Sequence, residues 1–529
     1  MGEILDYLST FALFPFGLRR FFQRRIDLED ARRIVHDRME HREENFLRLV
    51  EKSIYGSPAS PYRSLLRMAG CEMSDLRARV KQKGLENTLS ELRAEGVYVT
   101  YEELKGRKPI VRNGLTLQVT ARDFDNPHVR HDFGLGATSG STGAATYVGI
   151  AFETLAAYAV NGLILSSAHG VGRAPRAIWI PGLPGPGVTA ALWNAYAGRP
   201  IDRWFLPIGW RDSKYWFKYG LATWYMIVCS RALGVKVPWP QVLRLDQASV
   251  IAHWMADMLR EHKSCVHFSG VSQALRVCVA AAEEKLDLQG AVFEVGGEPI
   301  TPAKAQAIQG VGARLLNYYT LMEAAGFVGL GCARSDDPGD VHVTKDAFAV
   351  IPYPYAVENL GITVQSLNLT SLLDTSSKIL LNVQIDDCGI VEERSCGCEL
   401  ESYGFTTHLR DIRSYSKLVG EGVTLMGNEM LRILEQTLPA RFGGSALDYQ
   451  LTEQEDAQGL TRLCLTISPK VRIADESEVI SVMLNALRES SPMADGARTL
   501  WQQAQTIQIK RQEPVWTGYK LQPLRIQSK

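Results

Sequence analysis

The sequence carries no charge excess: 58 lysines and arginines balance 58 aspartates and glutamates. A chain without a net field of either sign does not gather polyanions as a whole, so no nucleic-acid partner is expected. It also lacks a disulfide framework. Its nine cysteines are odd in number and sit mostly within apolar runs, which suits a reducing cytosol, and a cytoplasmic protein is expected. No internal repeat or low-complexity segment interrupts it. A transmembrane segment and a signal peptide are not expected either: residues 1–25 contain an apolar stretch, but Glu3 and Asp6 precede it, no basic run opens it, and Pro15 interrupts it. That stretch reads either as an amphipathic helix docked on its own protein or as a membrane-surface or partner contact.

What is present is enough chain for more than one hydrophobic core, since 529 residues exceed what a single core organises. Residues 27–105 read as helices, with Phe46, Leu47, Leu49, Val50 and then Leu65, Leu66, Met68 at helical spacing. From about Val111, short β-rich runs with glycine punctuation alternate with helical stretches such as 152–168 and 272–284. Such alternation indicates an α/β body with mixed sheets. Beyond residue 412 a charged, glycine-containing stretch precedes a helix over 428–438, a strand over 461–468, a helix over 476–489 and a strand over 506–510. The expected organisation is a helical N-terminal region, 1–105, of a large multi-lobed α/β domain; a nucleotide- and acyl-binding core, 106–412; and a small mobile α+β cap, 413–529.

The run from Gly134 to Gly143 packs glycines and hydroxyls between two β-like segments. Backbone N–H groups there, with Thr138, Ser139, Ser141 and Thr142, can surround an anion, so the loop suits a phosphate; a plain solvent-exposed hairpin has the same composition. No Gly-Lys-Ser/Thr ends it, which excludes a Walker loop, and it is not a dinucleotide fingerprint.

Thr138, Ser139, Gly140, Ser141, Thr142 and Gly143, followed by Thr146, Tyr147, Val148 and Gly149, resemble the phosphate loop of the adenylate-forming superfamily, in particular its phenylacetate-CoA ligase branch. The Pro-Lys of the wider superfamily is replaced by Ala144-Ala145-Thr146, as is common in that branch. Further motifs follow in the same order. Gly296-Gly297-Glu298-Pro299 resembles the turn that lines the acyl pocket and the adenine. Tyr318 to Glu323 resembles the Tyr-Gly-x-Ser/Thr-Glu motif, with Thr320 and Met322 as departures, which implies Tyr319 near adenine and Glu323 as a magnesium ligand. A hard cation bridging phosphate oxygens needs such a carboxylate. Residues 382–387 resemble the ribose motif, and Asp387 rather than its neighbour Asp386 is assigned to the diol. Arg413 opens a segment similar to the hinge and implies an ATP contact, although Tyr415 and Ser416 replace two aspartates. Lys520, after Gly518, stands where the resemblance places the catalytic lysine. Phe268 to Val271, with Val295 and Gly296, are expected at the acyl pocket, Phe268, Gly270, Val295 and Gly296 above all.

Cys396 and Cys398 form a Cys-x-Cys pair, and Cys332 and His342 form a second pair with nine residues between them. A Cys3His set suits structural tetrahedral Zn2+; isolated core thiols and a surface histidine are the other reading of the spacing. The resemblance favours zinc, with the expected role of pinning two loops beside the nucleotide. Together these motifs imply a ligase that adenylates a carboxylic acid with ATP and Mg2+, releases pyrophosphate, and passes the acyl group to a thiol, coenzyme A first. An amine or an acyl carrier protein is the alternative acceptor, and a silent nucleotide-binding scaffold is a third reading.

Overall fold

The computed structural model describes residues 2–129, 133–137, 147–209, 212, 216–357, 362–414, 417–420, 423–488, 492–517, 520–521 and 524–526. Its body is built on a sheet in which Arg314–Leu321, Ala291–Gly296, Cys265–Gly270, Arg176–Trp179, Arg203–Leu206 and Gln241–Val242 lie side by side and parallel. Parallel strands are covered on both faces and read as nearly continuous apolar runs; Arg176–Trp179 and Ala291–Gly296 are buried at every position. Helices Phe152–Ala168 and Gly187–Tyr196 close one face over Ile178, Val266 and Val292. Helices Ala248–His262, Val271–Glu283 and Pro302–Gly310 close the other over Ala177, Phe293 and Val295.

Arg314–Leu321 then turns back into antiparallel Gly326–Gly331, and the sheet continues through Val341–Val343, Thr407–Ser414, Val383–Glu393, Ile362–Ser371 and Phe348–Val357. The N-terminal helices expected from the sequence cover this antiparallel half: Phe46, Leu65, Leu89 and Leu92 pack with Val328, Leu367 and Val383. Val99–Thr100 adds a short parallel strand against Val383–Glu393.

Ile507–Arg511, Thr461–Ile467, Tyr449–Glu455 and Leu524–Ile526 form a separate four-stranded sheet. It has its own core, with Leu451 and Leu465 against Met483, Leu487 and Trp501. Strand Tyr449–Glu455 and helix Pro492–Ala504 lie outside the sequence reading. The strand hides polar residues in the core, and buried Gln450 exchanges hydrogen bonds with the Val515 backbone, both at 2.9 Å. This sheet rests on the large body. Leu460, Leu500 and Ala504 join the core around Leu245 and Ile308, and buried Lys304 lies 3.5 Å from Glu455 and 3.9 Å from Glu298. Among the described residues no helix is long and apolar enough to cross a membrane.

Candidate active site

In an open α/β sheet the carboxyl ends of parallel strands form the natural ligand crevice, and three of the motifs lie at such ends. Cys265–Gly270 ends on Phe268 and Gly270, Ala291–Gly296 runs into Gly297, Glu298 and Pro299, and Arg314–Leu321 delivers Tyr318, Tyr319 and then Glu323. Phe268 stacks on Tyr318 with ring centroids 5.6 Å apart and planes 9° off parallel. Gly296 lies beneath the same tyrosine, where a Cβ would sit 2.4 Å from the ring, so no larger residue fits there. Gly270 caps helix Val271–Glu283. Val295 does not join them: strand alternation turns it to the opposite face, into the core with Ala177, Leu275 and Phe293.

Glu298 is committed inside the protein. Its carboxylate accepts from Ser272 N at 3.2 Å and Ser272 Oγ at 2.6 Å. A carboxylate at the first turn of Val271–Glu283 also meets the positive end of that helix. Lys304 then connects Glu298 to the C-terminal sheet, donating to Pro299 O at 3.2 Å and Thr461 Oγ1 at 3.4 Å. The Gly-Gly-Glu-Pro turn is therefore tied to both parts of the chain.

Tyr319 and Asp387 are brought together, the phenol donating to Asp387 Oδ2 at 2.6 Å. Burial first, and the Asp387 carboxylate second, hold that phenol well above its ordinary pKa, so it stays a donor. Asp386 lies on the other face of the strand, where its carboxylate and that of Glu323 act on the Tyr101 phenol. Arg413 pairs across the ladder with Cys388, next to Asp387, and its half-exposed guanidinium reaches Asp411 at 3.6 Å. It remains available to an anion.

Glu323 sits buried in the tight turn between Arg314–Leu321 and Gly326–Gly331. Tyr101 OH donates to its Oε1 at 3.1 Å, and the ammonium of Lys105 makes a very short ion pair with the same oxygen. Burial lowers the Lys105 pKa, and Glu323 opposes that shift. A Mg2+ ion needs an anionic oxygen and keeps several waters around itself. Here the carboxylate is neutralised within the chain and enclosed. As placed, Glu323 does not fit a magnesium ligand. Lys105 and Tyr101 escape the sequence reading, although their spacing of four puts both on one side of the turn Tyr101–Leu104.

The four ligands expected for zinc do converge: the ligand atoms of Cys332, His342, Cys396 and Cys398 all lie within 4.8 Å of one another. Four ligands on a tetrahedral zinc with Zn–S bonds near 2.3 Å place their sulfurs about 3.8 Å apart. His342 Nε2 faces Cys398 Sγ at 3.2 Å and Cys396 Sγ at 3.5 Å, while Nδ1 lies 2.6 Å from Phe405 O. A carbonyl can only accept, so the ring proton belongs on Nδ1 and the Nε2 lone pair points into the cluster. A hydrogen bond from Cys332 pulls the Cys398 thiol far below its ordinary pKa, with His342 assisting, so one thiolate is already favoured. Behind the cluster, His408 lies against His342 at 4.0 Å between ring centroids and bonds Asp340 Oδ1 at 2.9 Å. The donor set fits Zn2+. Its location departs from expectation: the whole of Gly326–Gly331, roughly 20 Å of strand, separates Cys332 from the Glu323 turn, so the cluster pins the far end of the hairpin.

Thr138, Ser139, Gly140, Ser141, Thr142 and Gly143 lie outside the described residues. The strands that flank them, Gly134–Ala137 and Tyr147–Ile150, pair antiparallel, with Ala137 opposite Tyr147. Lys520 is on the short strand Lys520–Leu521, opposite Thr517, and its side chain lies outside the described residues.

No protein-family model matches the chain, and no curated protein sequence does. Solved structures are similar in shape. A 2-hydroxyisobutyryl-CoA ligase, crystallised with 2-HIB-AMP and CoA in its thioesterification state, gives a TM-score of 0.54 at 15% identity, over 92% of this chain and 90% of that one. An o-succinylbenzoate CoA synthetase from Bacillus subtilis gives 0.41 at 12% identity over 68% and 62%, and an amide bond synthetase from Marinactinospora thermotolerans gives 0.39 at 13% over 93% and 97%. The chain thus has the α/β fold of the adenylate-forming enzymes, a large N-terminal part followed by a small C-terminal one.

Proposed function

We propose that the chain activates a carboxylic acid with ATP as an acyl-adenylate and passes the acyl group to a thiol, coenzyme A first, with an amine or a carrier-protein thiol as the alternative. The observation that carries this reading is that consecutive residues near the carboxyl end of Arg314–Leu321 serve the two faces of the sheet: Tyr318 stacks with Phe268 over Gly296 on one, and Tyr319 donates to Asp387 on the other. In the first step an oxygen of the acid attacks the α-phosphorus of ATP and the bond to pyrophosphate breaks. In the second the acceptor's sulfur or nitrogen attacks the acyl carbon, AMP departs, and the acceptor's proton is lost to solvent.

Each residue then has a distinct task. Asp387 accepts from the ribose hydroxyls while Tyr319 fixes its orientation. Phe268 and Tyr318 hold an apolar acyl group, and Gly296 makes room for the Tyr318 ring. Both reactants of the first step are anions, so Arg413, Lys520 and the N–H groups of residues 138–143 supply the compensating charge. Lys105 keeps the buried Glu323 carboxylate from adding to the negative field. Cys332, His342, Cys396 and Cys398 hold a structural zinc that cross-links the hairpin to the loop before Thr407–Ser414. The motifs favour the phenylacetate-CoA ligase branch, and with it an aromatic or otherwise apolar acid.

The test is carboxylate-dependent exchange of pyrophosphate into ATP across pooled aromatic, alicyclic and fatty acids. Exchange is expected with at least one pool, and Lys520→Ala should slow it about a hundredfold while ATP binding changes little. Exchange with no pool, from folded and metal-loaded protein, refutes adenylation. AMP release that follows amines instead of coenzyme A assigns the alternative acceptor.

A further inference from the structure

Helix Trp216–Ala232 is apolar on two faces. Tyr219, Ala222, Met226 and Ile227 are buried against the body. Phe217, Leu221, Trp224 and Val228 recur at i, i+4, i+7 and i+11 and are 65%, 53%, 45% and 49% exposed. A soluble helix ordinarily turns charge outward at such positions, and a contiguous exposed apolar face marks an interaction surface. Tyr225 joins this face to the N-terminal helix Gly2–Phe21: its hydroxyl donates to Phe11 O at 2.8 Å and its ring meets Phe11 edge-on at 5.7 Å. On that helix Leu13 and Phe16 are 54% and 74% exposed. The surface therefore spans two helices far apart in sequence.

The charge around it selects the occupant. Residues 1–25 carry four arginines against Glu3 and Asp6, and residues 210–246 carry six lysines and arginines against Asp212 and Asp246, the latter 3.7 Å from Arg244, in a chain whose total charge is zero. Arg19, Arg20, Arg24, Arg25, Lys236 and Arg244 are exposed. Four of the ten tryptophans also fall within 210–239; Trp224 and Trp239, with ring centroids 4.6 Å apart, are both exposed. Tryptophan beside basic side chains is the composition that settles at a bilayer interface. A second copy of the chain would instead bring like basic rims together, which disfavours a symmetric self-interface. We propose that the face formed by helices Gly2–Phe21 and Trp216–Ala232 docks the protein on an anionic lipid surface, aromatic tips in the interface and arginines at the headgroups, without spanning the bilayer.

Flotation of the full-length protein with vesicles tests this, comparing phosphatidylcholine containing about one-third phosphatidylglycerol with phosphatidylcholine alone. Binding to the anionic vesicles is expected, weakened by salt, with Trp224 and Trp239 quenched by brominated acyl chains. The variant Leu221→Ser/Val228→Ser should bind about tenfold or more weakly with an unchanged melting temperature, because both side chains are already exposed. Arg20→Gln/Lys236→Gln, which leaves every apolar residue in place, should reduce the preference for anionic over neutral vesicles. Failure to float, or equal binding to both vesicle types, overturns the proposal. So does a lipid-indifferent dimer, or a complex with an acidic protein, that Leu221→Ser/Val228→Ser disperses.

Discussion

Replacing Lys105 by methionine keeps the stem of the side chain and removes its charge from a site where little water can substitute for it. The Lys105 and Glu323 side chains are 2% and 8% exposed, so neither ion of the pair can be resolvated where it stands. An exposed pair would be worth about 0–1 kcal/mol, but stripping one partner from a buried pair strands the other and costs about 3–5 kcal/mol. Lys105→Met alone should therefore destabilise the protein by that amount, read as a lowered urea midpoint at pH 7. Glu323→Gln alone should be milder. The remaining ammonium, whose pKa burial already lowers, can shed its proton, and a neutral amide still accepts from Tyr101. The double variant Lys105→Met/Glu323→Gln should lie within about 1 kcal/mol of Glu323→Gln alone, and the coupling in the cycle should be at least about 2 kcal/mol. Additive single effects, or a loss below about 1 kcal/mol for Lys105→Met, would show that the pair is not formed. The same cycle bears on the metal: were Glu323 a magnesium ligand, Lys105→Met would lower the Mg2+ concentration needed for pyrophosphate exchange while stability barely moved.

Three further outcomes are expected. The purified protein should carry one tightly held zinc by elemental analysis, Cys398→Ser should lose it, and chelation should lower the melting temperature, because four ligands from three chain segments fold around it. His267 is fully buried between Trp179 and Phe293 with neither ring nitrogen hydrogen-bonded, and burial pulls its pKa from 6.5 to about 3. Because the unfolded chain binds that proton and the folded one does not, stability is lost as pH falls from 6.5 toward 3, by up to about 1.4 kcal/mol per unit. Urea titrations at several pH values should find this slope reduced in His267→Leu, with neutral-pH stability kept or raised; an unchanged acid slope contradicts the assignment. Lys304→Met, which leaves buried Glu298 and nearby Glu455 without their shared cation, should loosen the C-terminal sheet and speed its release by limited proteolysis about tenfold or more, whereas Lys470→Met at an exposed pair should not.

How far the sequence could be read depended on the distance over which each feature is encoded. The alternation of short apolar runs with helices announced the α/β body because parallel strands bury both faces along consecutive residues, as Ala291–Gly296 does. Helix 476–489 and strand 461–468 were legible for the same local reason, and the structure places them at Glu476–Arg488 and Thr461–Ile467. Strand Tyr449–Glu455 was not, because Gln450 and Thr452 are buried within it and conceal the apolar pattern, Gln450 being satisfied by the Val515 backbone. Pairs of ligands a few residues apart also announced themselves. Cys396 and Cys398 are separated by one residue, and the structure brings them to Cys332 and His342. Where the cluster would stand relative to Glu323 depended on the length and direction of Gly326–Gly331, which spacing alone does not convey.

The site's electrostatics had the longest range and was the least legible. A carboxylate at 323 reads as a metal ligand when its own motif is all that is in view, since nothing between Tyr318 and Glu323 supplies a counter-charge. The ammonium that neutralises it lies 218 residues earlier, on a turn whose Tyr101-Glu-Glu-Leu-Lys105 spelling is that of any exposed amphipathic helix. Val295 failed in the complementary way. It is adjacent to Gly296 in sequence and was grouped with it, but a strand sends neighbours to opposite faces, and only the sheet's register shows which face holds Tyr318. Three of the motifs fall near the carboxyl ends of parallel strands, where an open α/β sheet forms its crevice. The charge balance inside the crevice is set by tertiary contacts, and there the pairing of Glu323 with Lys105 decides whether the carboxylate is available to a metal ion.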